Sequence, residues 1–407
     1  MIASLIWLLL PLLYAVGALG VGTAFVYNET LAWHAINLLS GCLLPVRSVY
    51  FIVLNIKSGN RISVPSLFQA LTETILALAI IFLPHLSYQA FVVFLVLYLS
   101  FYTAVKTIDA VIYKKNRVYQ HFIPSLCQAV LFSHLFLLLL FLPHTLRHPL
   151  LVWVSGLVLS LLGHTVLCEF LATKIRNPKV SQAFRRIMVT LPWVSGLSFP
   201  YRLMEGIDSS TKDEPSPQSD VEILFSYGKY GQGIAGHCEL CLNGKTYTFG
   251  NYDPSSRRIL QTMGNGILFC ADRDAHIEWL TQNNRTVVAY GLCPDAKQQD
   301  KIEESVRRLL DNSERWDVPK APKEYIYQVQ QAFSPDIYRI CRGQFATYFL
   351  PTINCVTLTC HLLHSTAAGH IFIPGLRTPG TYMDALHRLY LAENSIVSYV
   401  KTYEKKK

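Results

Sequence analysis

Charge is scarce in this chain. Lys, Arg, Asp and Glu make up 15% of its 407 residues, against about 25% in ordinary soluble domains. The scarcity is uneven: residues 1–175 are mostly apolar runs, and the rest reads like an ordinary globular domain. Framework spacing is missing from the ten cysteines, which are scattered over both halves. This argues against a disulfide-stapled secreted domain and for a reducing compartment. The glycine-rich stretch Gly228–Gly236 lacks the Lys-Ser/Thr ending of a phosphate loop, which removes the main nucleotide-binding signal. No internal repeat of the kind many transporters carry is visible. The first apolar run has no basic residues before it, so it is unlike a cleaved signal peptide.

Apolar length is what the first half has in abundance, and mean hydropathy over the whole chain is +0.28. A bilayer-spanning helix needs ~20 apolar residues. Residues 1–27, 67–83, 90–105, 125–142 and 150–171 qualify or come close, and 35–56 is weaker because Asn37 and Arg47 lie inside it. The expectation is five or six spans. Three loops carry most of the Lys and Arg: one with Lys57 and Arg61, one running from Lys106 to Arg117, and one from Lys174 to Arg186. The excess of positive charge on cytoplasmic loops puts these three inside, and the C-terminal domain with them. Ile187–Leu203 is apolar enough for a short span, which would reverse that side. Its prolines, serines, Trp193 and Tyr201 favour an interfacial segment. The net charge of +9 is thus accounted for by membrane orientation and anionic lipid, and no nucleic-acid partner is expected. Glu73, His34, His164 and Glu169 fall within or near the apolar runs. Buried intramembrane charge often marks function, yet no relay of partners is visible around them, and an anchor is preferred to a transporter.

The domain division expected is a multi-pass region over 1–175, an interfacial segment and linker over 176–220, and a globular domain over 221–407. Gly206–Asp220 is rich in Pro, Ser, Asp and Lys with no apolar period, as a linker is. Beyond it, strands are expected at 221–226, on either side of Asn243-Gly244 within 236–250, and at 266–269, 286–290 and 396–402. Asn243-Gly244 is the strongest short hairpin signal in the chain. Gln298–Asp311 is an amphipathic helix with Ile302, Val306, Leu309 and Leu310 on one side. On the first strand of the hairpin His237, Glu239 and Cys241 share one face, and Cys238 and Leu240 the other. That alternation parts Cys238 from Cys241 and argues against a zinc clip, for which Cys360, His361 and His364 are the only further ligand pool.

The chemistry is expected at Leu350–His364. Asn354 is placed to cap a short apolar helix with Cys355 in its first turn. The free N–H groups of a helix start favour a thiolate. A strand-borne His upstream, His237, supplies the base that a thiol nucleophile needs. The Cys355 N–H and the Asn354 side chain are candidate oxyanion donors, and Asn251 or Glu239 a candidate third group to orient the imidazole. The alternative is a packed cysteine and a histidine satisfied by backbone.

His237 through Phe249-Gly250, followed by Asn354-Cys355, resembles the PPPDE-type thiol proteases. The order His before Cys is also that of the lecithin retinol acyltransferase group and other permuted, NlpC-like papain folds. Val356-Thr357-Leu358 departs from the Asn-His-Phe that follows the cysteine in the first of these. The resemblance covers about residues 221–375. It implies a papain-like α+β domain, Cys355 as nucleophile, His237 as base, and no cofactor or metal. The overall expectation is an α-helical membrane bundle of five or six spans plus that domain. It would be a multi-pass hydrolase or acyltransferase acting on an amide, isopeptide or ester of a protein, peptide or lipid at the membrane surface. The alternatives are a catalytically inactive binding module on a membrane scaffold, or a transporter with a regulatory domain.

Overall fold

The structure is a computed structural model that describes residues 84–141, 219–228, 236–371, 377–390 and 395–405, with scattered positions in 16–28 and 143–167. Two long helices come first, α1 over Pro84–Lys115 and α2 over Tyr119–Phe141. Lys114 and Lys115 close α1, where cations complement the negative end of the helix dipole. Arg117 takes a left-handed φ of 58°, and the Val118 N–H reaches back to the Tyr113 carbonyl at 2.8 Å, a turn that satisfies the last carbonyls of α1. Leu95 and Leu99 of α1 pack with Leu139 of α2, and the Tyr102 ring meets Phe132 edge-on at 4.5 Å.

The expected bundle of five or six spans joined to an α+β papain-like domain requires correction. Among the described residues two helices are long and apolar enough to cross a membrane, Leu95–Lys115 within α1 and Tyr119–Phe141, and they accompany a large antiparallel sheet. Apolar run length marks a segment that must be buried, and protein can bury it as well as lipid. Most of the expected spans at 1–27 and 150–171, those at 35–56 and 67–83, the segment 187–203, and Glu73, His34 and Glu169 lie outside the described residues.

The chain divides into two compact units, residues 1–106 with 126–192, and residues 107–125 with 193–407. The turn between α1 and α2 therefore belongs with the C-terminal unit. That unit is built on eight antiparallel strands in the order β10-β6-β1-β2-β3-β5-β8-β7. They are β1 Val221–Gly228, β2 His237–Leu242, β3 Lys245–Gly250, β5 Ile267–Asp272, β6 Arg285–Leu292, β7 Ser313–Arg315, β8 Asp336–Ile340 and β10 Val397–Tyr403. A separate two-stranded ribbon pairs β4, Met263–Asn265, with β9, Thr347–Phe349. The β2–β3 hairpin forms as its Asn-Gly dipeptide predicts, with φ of 50° at Asn243 and 75° at Gly244.

Helices cover both faces of the sheet. On one, α3 (Arg273–Gln282) sets Ile277 and Leu280 against Leu224, Cys241, Val287 and Ala289. On the same side α5 (Tyr325–Phe333) packs Ile326 and Val329 on Ile267, Phe269 and Ile337. On the other, α6 (Cys355–Leu362) brings the Thr359 hydroxyl to 3.6 Å from the Cys238 sulfur. There α7 (Pro379–Tyr390) sets Tyr382 edge-on to Phe225. Burial on both sides explains why β1 is a near-continuous apolar run rather than an alternating one. Helix α4 (Ala296–Asp311) buries Ile302, Val306 and Leu309 behind an Asp295/Gln298 capping box.

A row of side chains crosses the sheet from its edge. Glu222 on β1, Gly291 on β6 and Tyr399 on β10 lie side by side in register. A Cβ at Gly291 would overlap the Tyr399 ring, so the glycine lets Tyr399 lie across β6 and donate its hydroxyl to the Glu222 carboxylate. Arg273, at the start of α3, grips the same carboxylate with two nitrogens and donates to the Tyr403 hydroxyl at 2.7 Å. Gly291→Ala is therefore expected to lower stability by about 1–3 kcal/mol, the range for a forced overpacking, read from the denaturant midpoint of the purified chain. An unchanged midpoint would mean that Tyr399 does not lie over β6.

Candidate functional site

The site lies where the sheet comes apart. Strands β2 and β3 each have six residues, yet their ladder joins only Leu240–Leu242 to Lys245–Tyr247. Beyond that, Thr248–Gly250 stays paired with β5, and His237–Glu239 with β1. The gap leaves backbone groups of β2 without a strand partner, and buried backbone donors must be satisfied elsewhere. The start of α6 packs there, and the Cys238 backbone favours the ionised form of the Cys355 sulfur.

Asn354 makes that helix start. It accepts from the Thr357 N–H at 3.1 Å, and the Thr357 hydroxyl accepts from the Asn354 N–H at 2.8 Å, a reciprocal cap. The Asn354 side-chain amide donates to the carbonyls of Leu350, at 2.9 Å, and Arg377, at 2.8 Å. Both of its protons are committed to those carbonyls. The expected oxyanion role for Asn354 therefore gives way to a structural one, the fastening of two loops to the cap.

Cys355 is the first residue of α6 and is 5% exposed. The backbone N–H groups of Cys238, Val356 and Cys355 itself favour a thiolate there. Burial outweighs them and pushes the thiol up to about 12. The expected thiolate is thus a thiol in this conformation, because removal from water costs the anion more than three backbone donors return.

His237 opens β2. The pleat directs its side chain to the Glu239 and Cys241 side rather than to the side of Cys238 and α6. Its ring reaches the Tyr252 hydroxyl, 3.3 Å from Nε2. Among the described residues no hydrogen bond joins His237 to Cys355. Burial, then the positive charge of Arg285, pulls His237 down to about 3, so the imidazole is neutral.

Tyr252 is the functional candidate that sequence reasoning missed. It follows the hairpin by two residues and folds back over Gly250, where a Cβ would fall 2.6 Å from its ring. It stacks on Tyr325 at 5.5 Å, and it lies within electrostatic reach of Cys355 and Glu239. The Phe249-Gly250 ending of the hairpin was the available signal, since a glycine there admits an aromatic neighbour. Asn251 does not orient the histidine: its amide donates to the Gln261 carbonyl at 3.1 Å. Nor does Glu239, whose carboxylate lies 3.5 Å from His276 Nδ1, while that nitrogen is closer to the Thr246 hydroxyl at 3.1 Å. Burial pushes Glu239 up to about 8 and His276 down to about 3, so the two meet as a neutral acid and a neutral imidazole.

Cys238 and Cys241 fall on opposite faces, the first toward α6 and the second toward α3. Among the described residues no three His, Cys, Asp or Glu side chains gather as metal ligands. The arrangement therefore offers thiol, imidazole and phenol chemistry at one end of the sheet. No family model, no curated protein and no solved structure matches this chain.

Proposed function

We propose that this chain is a membrane-associated thiol enzyme, a hydrolase or acyltransferase, in which Cys355 attacks an amide, isopeptide or ester carbonyl and His237 serves as base. The observation that carries the reading is the parted β2–β3 ladder. It brings the capped start of α6 against the residue next to His237, where the backbone N–H groups favour a thiolate. The neutral imidazole is in the form that accepts a proton, and Tyr252 positions its ring. In the open site the imidazole must turn from Tyr252 toward the sulfur. His237 then takes the thiol proton as the C–S bond forms, and returns it to the departing nitrogen or oxygen as the tetrahedral adduct collapses. Water or another acceptor then releases the acyl group from sulfur. The Cys238 and Cys355 N–H groups are the oxyanion donors available once the sulfur is acylated. Substrate must first uncover the sulfur. The two apolar helices support a site beside a bilayer, and Lys106, Lys114, Lys115 and Arg117 support the cytoplasmic side for it. The substrate class is then a protein, peptide or lipid acyl group near the membrane. The resemblance to PPPDE-type and lecithin retinol acyltransferase-like sequences, on His237 and Asn354-Cys355, supports the same chemistry.

One observation favours a second reading, a binding module without catalysis: the thiol is sealed and lacks a bond to the imidazole. An acyl-mimicking electrophilic probe on the purified full chain separates the two. Catalysis predicts labelling of the wild type and none of Cys355→Ala. It also predicts a loss of about 10²–10⁴-fold in labelling rate for His237→Ala, the usual worth of a positioned base. Tyr252→Phe should shift the pH profile of labelling. Equal labelling of wild type and Cys355→Ala, or no labelling of a folded wild type, would leave the binding module.

A further inference from the structure

Asp109 is a carboxylate inside the apolar helix α1, and it is 1% exposed. An ionisable group in such a helix is costly, and its partner shows what it is kept for. Asp109, Ile112 and Asn116 recur at helical spacing on one face, and Ile112 is also buried. Asn116 follows α1 and still donates to the Ile112 carbonyl at 2.8 Å, so the face runs unbroken to it. All three lie in the compact unit that holds the sheet. Two of them reach the segment that leads into α6. The Asn116 amide donates to the Thr347 hydroxyl at 3.3 Å, and the Asp109 carboxylate accepts from the Thr352 hydroxyl. These two pins are seven residues apart, about 10 Å along the helix.

The pinned segment is the one that covers and starts the nucleophile. Between the pins Tyr348, on β9, is buried and lies within electrostatic reach of Cys355. Phe349 and Ile353 exchange backbone hydrogen bonds at 2.9 and 2.7 Å, and the Thr352 N–H returns to the Phe349 carbonyl at 3.1 Å. Residues 349–353 are thus one closed turn. It passes straight into Asn354, whose amide holds the Leu350 carbonyl at 2.9 Å, and then into Cys355. A turn closed on itself moves as a piece. Thr352 fixes it from the α1 side, and the cap and the sulfur follow where it is fixed.

We infer that Asp109 is a positioning residue for Cys355. Through Thr352 it latches the 347–353 segment in the place that keeps the sulfur covered, and release of the latch uncovers it. What the latch governs in catalysis rests on the proposed chemistry, whereas its hold on the sulfur does not. Iodoacetamide at pH 7 on the purified full chain, read cysteine by cysteine by mass spectrometry, tests it. Asp109→Ala should raise Cys355 alkylation by about tenfold, the change for one unit of thiol pKa. The pH profile of that alkylation should move to lower pH as the sulfur regains water. Asp109→Asn keeps an acceptor oxygen in the same place and should stay near the wild type. Thr352→Val, which keeps the shape and loses the hydroxyl, should give the same rise as Asp109→Ala. The double variant should rise no further than either alone, because both remove one bond. Cys241, buried toward α3 on the other face of the sheet, reports general loosening and should stay protected. An unchanged Cys355 in Asp109→Ala and Thr352→Val overturns the latch, and so does a rise that Cys241 shares. A rise at Cys355 alone, in a chain that the acyl-mimicking probe fails to label, supports the latch and overturns the chemistry.

Discussion

Replacing Arg273 with methionine should destabilise the sheet unit by about 3–5 kcal/mol, the range for leaving a buried charge without its partner. Glu222 and Arg273 are almost fully buried, and the guanidinium grips the carboxylate with two nitrogens. Tyr399 and Tyr403, both from β10, complete the cluster by donating to Glu222 and accepting from Arg273. Arg273→Met leaves the Glu222 anion with one phenol where water was excluded. Denaturant unfolding of the purified chain, followed by near-ultraviolet circular dichroism, should read the loss. The double change Glu222→Leu with Arg273→Met should recover most of it, because no charge is then left buried. A double variant as unstable as the single one would mean that the cluster acts through its shape and not through its charge.

The second large effect concerns reactivity. With its thiol pushed up to about 12, only about one Cys355 sulfur in 10⁵ is ionised at pH 7. Burial slows access further. Iodoacetamide at neutral pH should therefore modify the exposed Cys293 and Cys341 while sparing Cys355. Because the value is raised, thiolate appears as pH rises, and Cys355 alkylation should climb about tenfold per pH unit toward 12. Quantitative mass spectrometry of the alkylated peptides reads each cysteine separately. Alkylation of Cys355 at pH 7 as fast as that of Cys293 would mean that the sulfur is neither sealed nor held as a thiol. The contrast with the acyl-mimicking probe tests the proposed chemistry, which requires an occupant of the substrate position to uncover the sulfur where a small unselective reagent does not.

Local signals carried over well where the chain punctuates itself. Asn243-Gly244 forms the tight turn, Asn354 caps α6, and Ile302, Val306 and Leu309 face inward on α4. Each depends on residues a few positions apart. The helix α5 was hidden because Arg315–Tyr327 reads as a proline-punctuated loop, and only packing against Ile267 and Phe269 makes Tyr325–Phe333 helical. Helix α3 was hidden by its composition, since Asp274, His276, Glu278 and Gln282 interrupt the apolar stripe. At the site, alternation placed His237 and Cys238 on opposite sides correctly, but it could not foresee the opening of the ladder that brings Cys355 between the strands. Nor could it weigh desolvation against the helix start, which decides the protonation of the sulfur. The expected bundle failed for a related reason: an apolar run records that a segment must leave water and not what it leaves water for.

The bare glycine in the row Glu222–Gly291–Tyr399 has a consequence for how this chain can vary by descent. Position 291 can gain a side chain only in a background where position 399 has already lost its ring. Losing that ring removes a donor from the carboxylate at 222, which in turn weakens the case for an arginine at 273. Four positions spread over more than 170 residues of sequence are thereby tied into one heritable unit. Among divergent copies of this chain they should be kept together or replaced together.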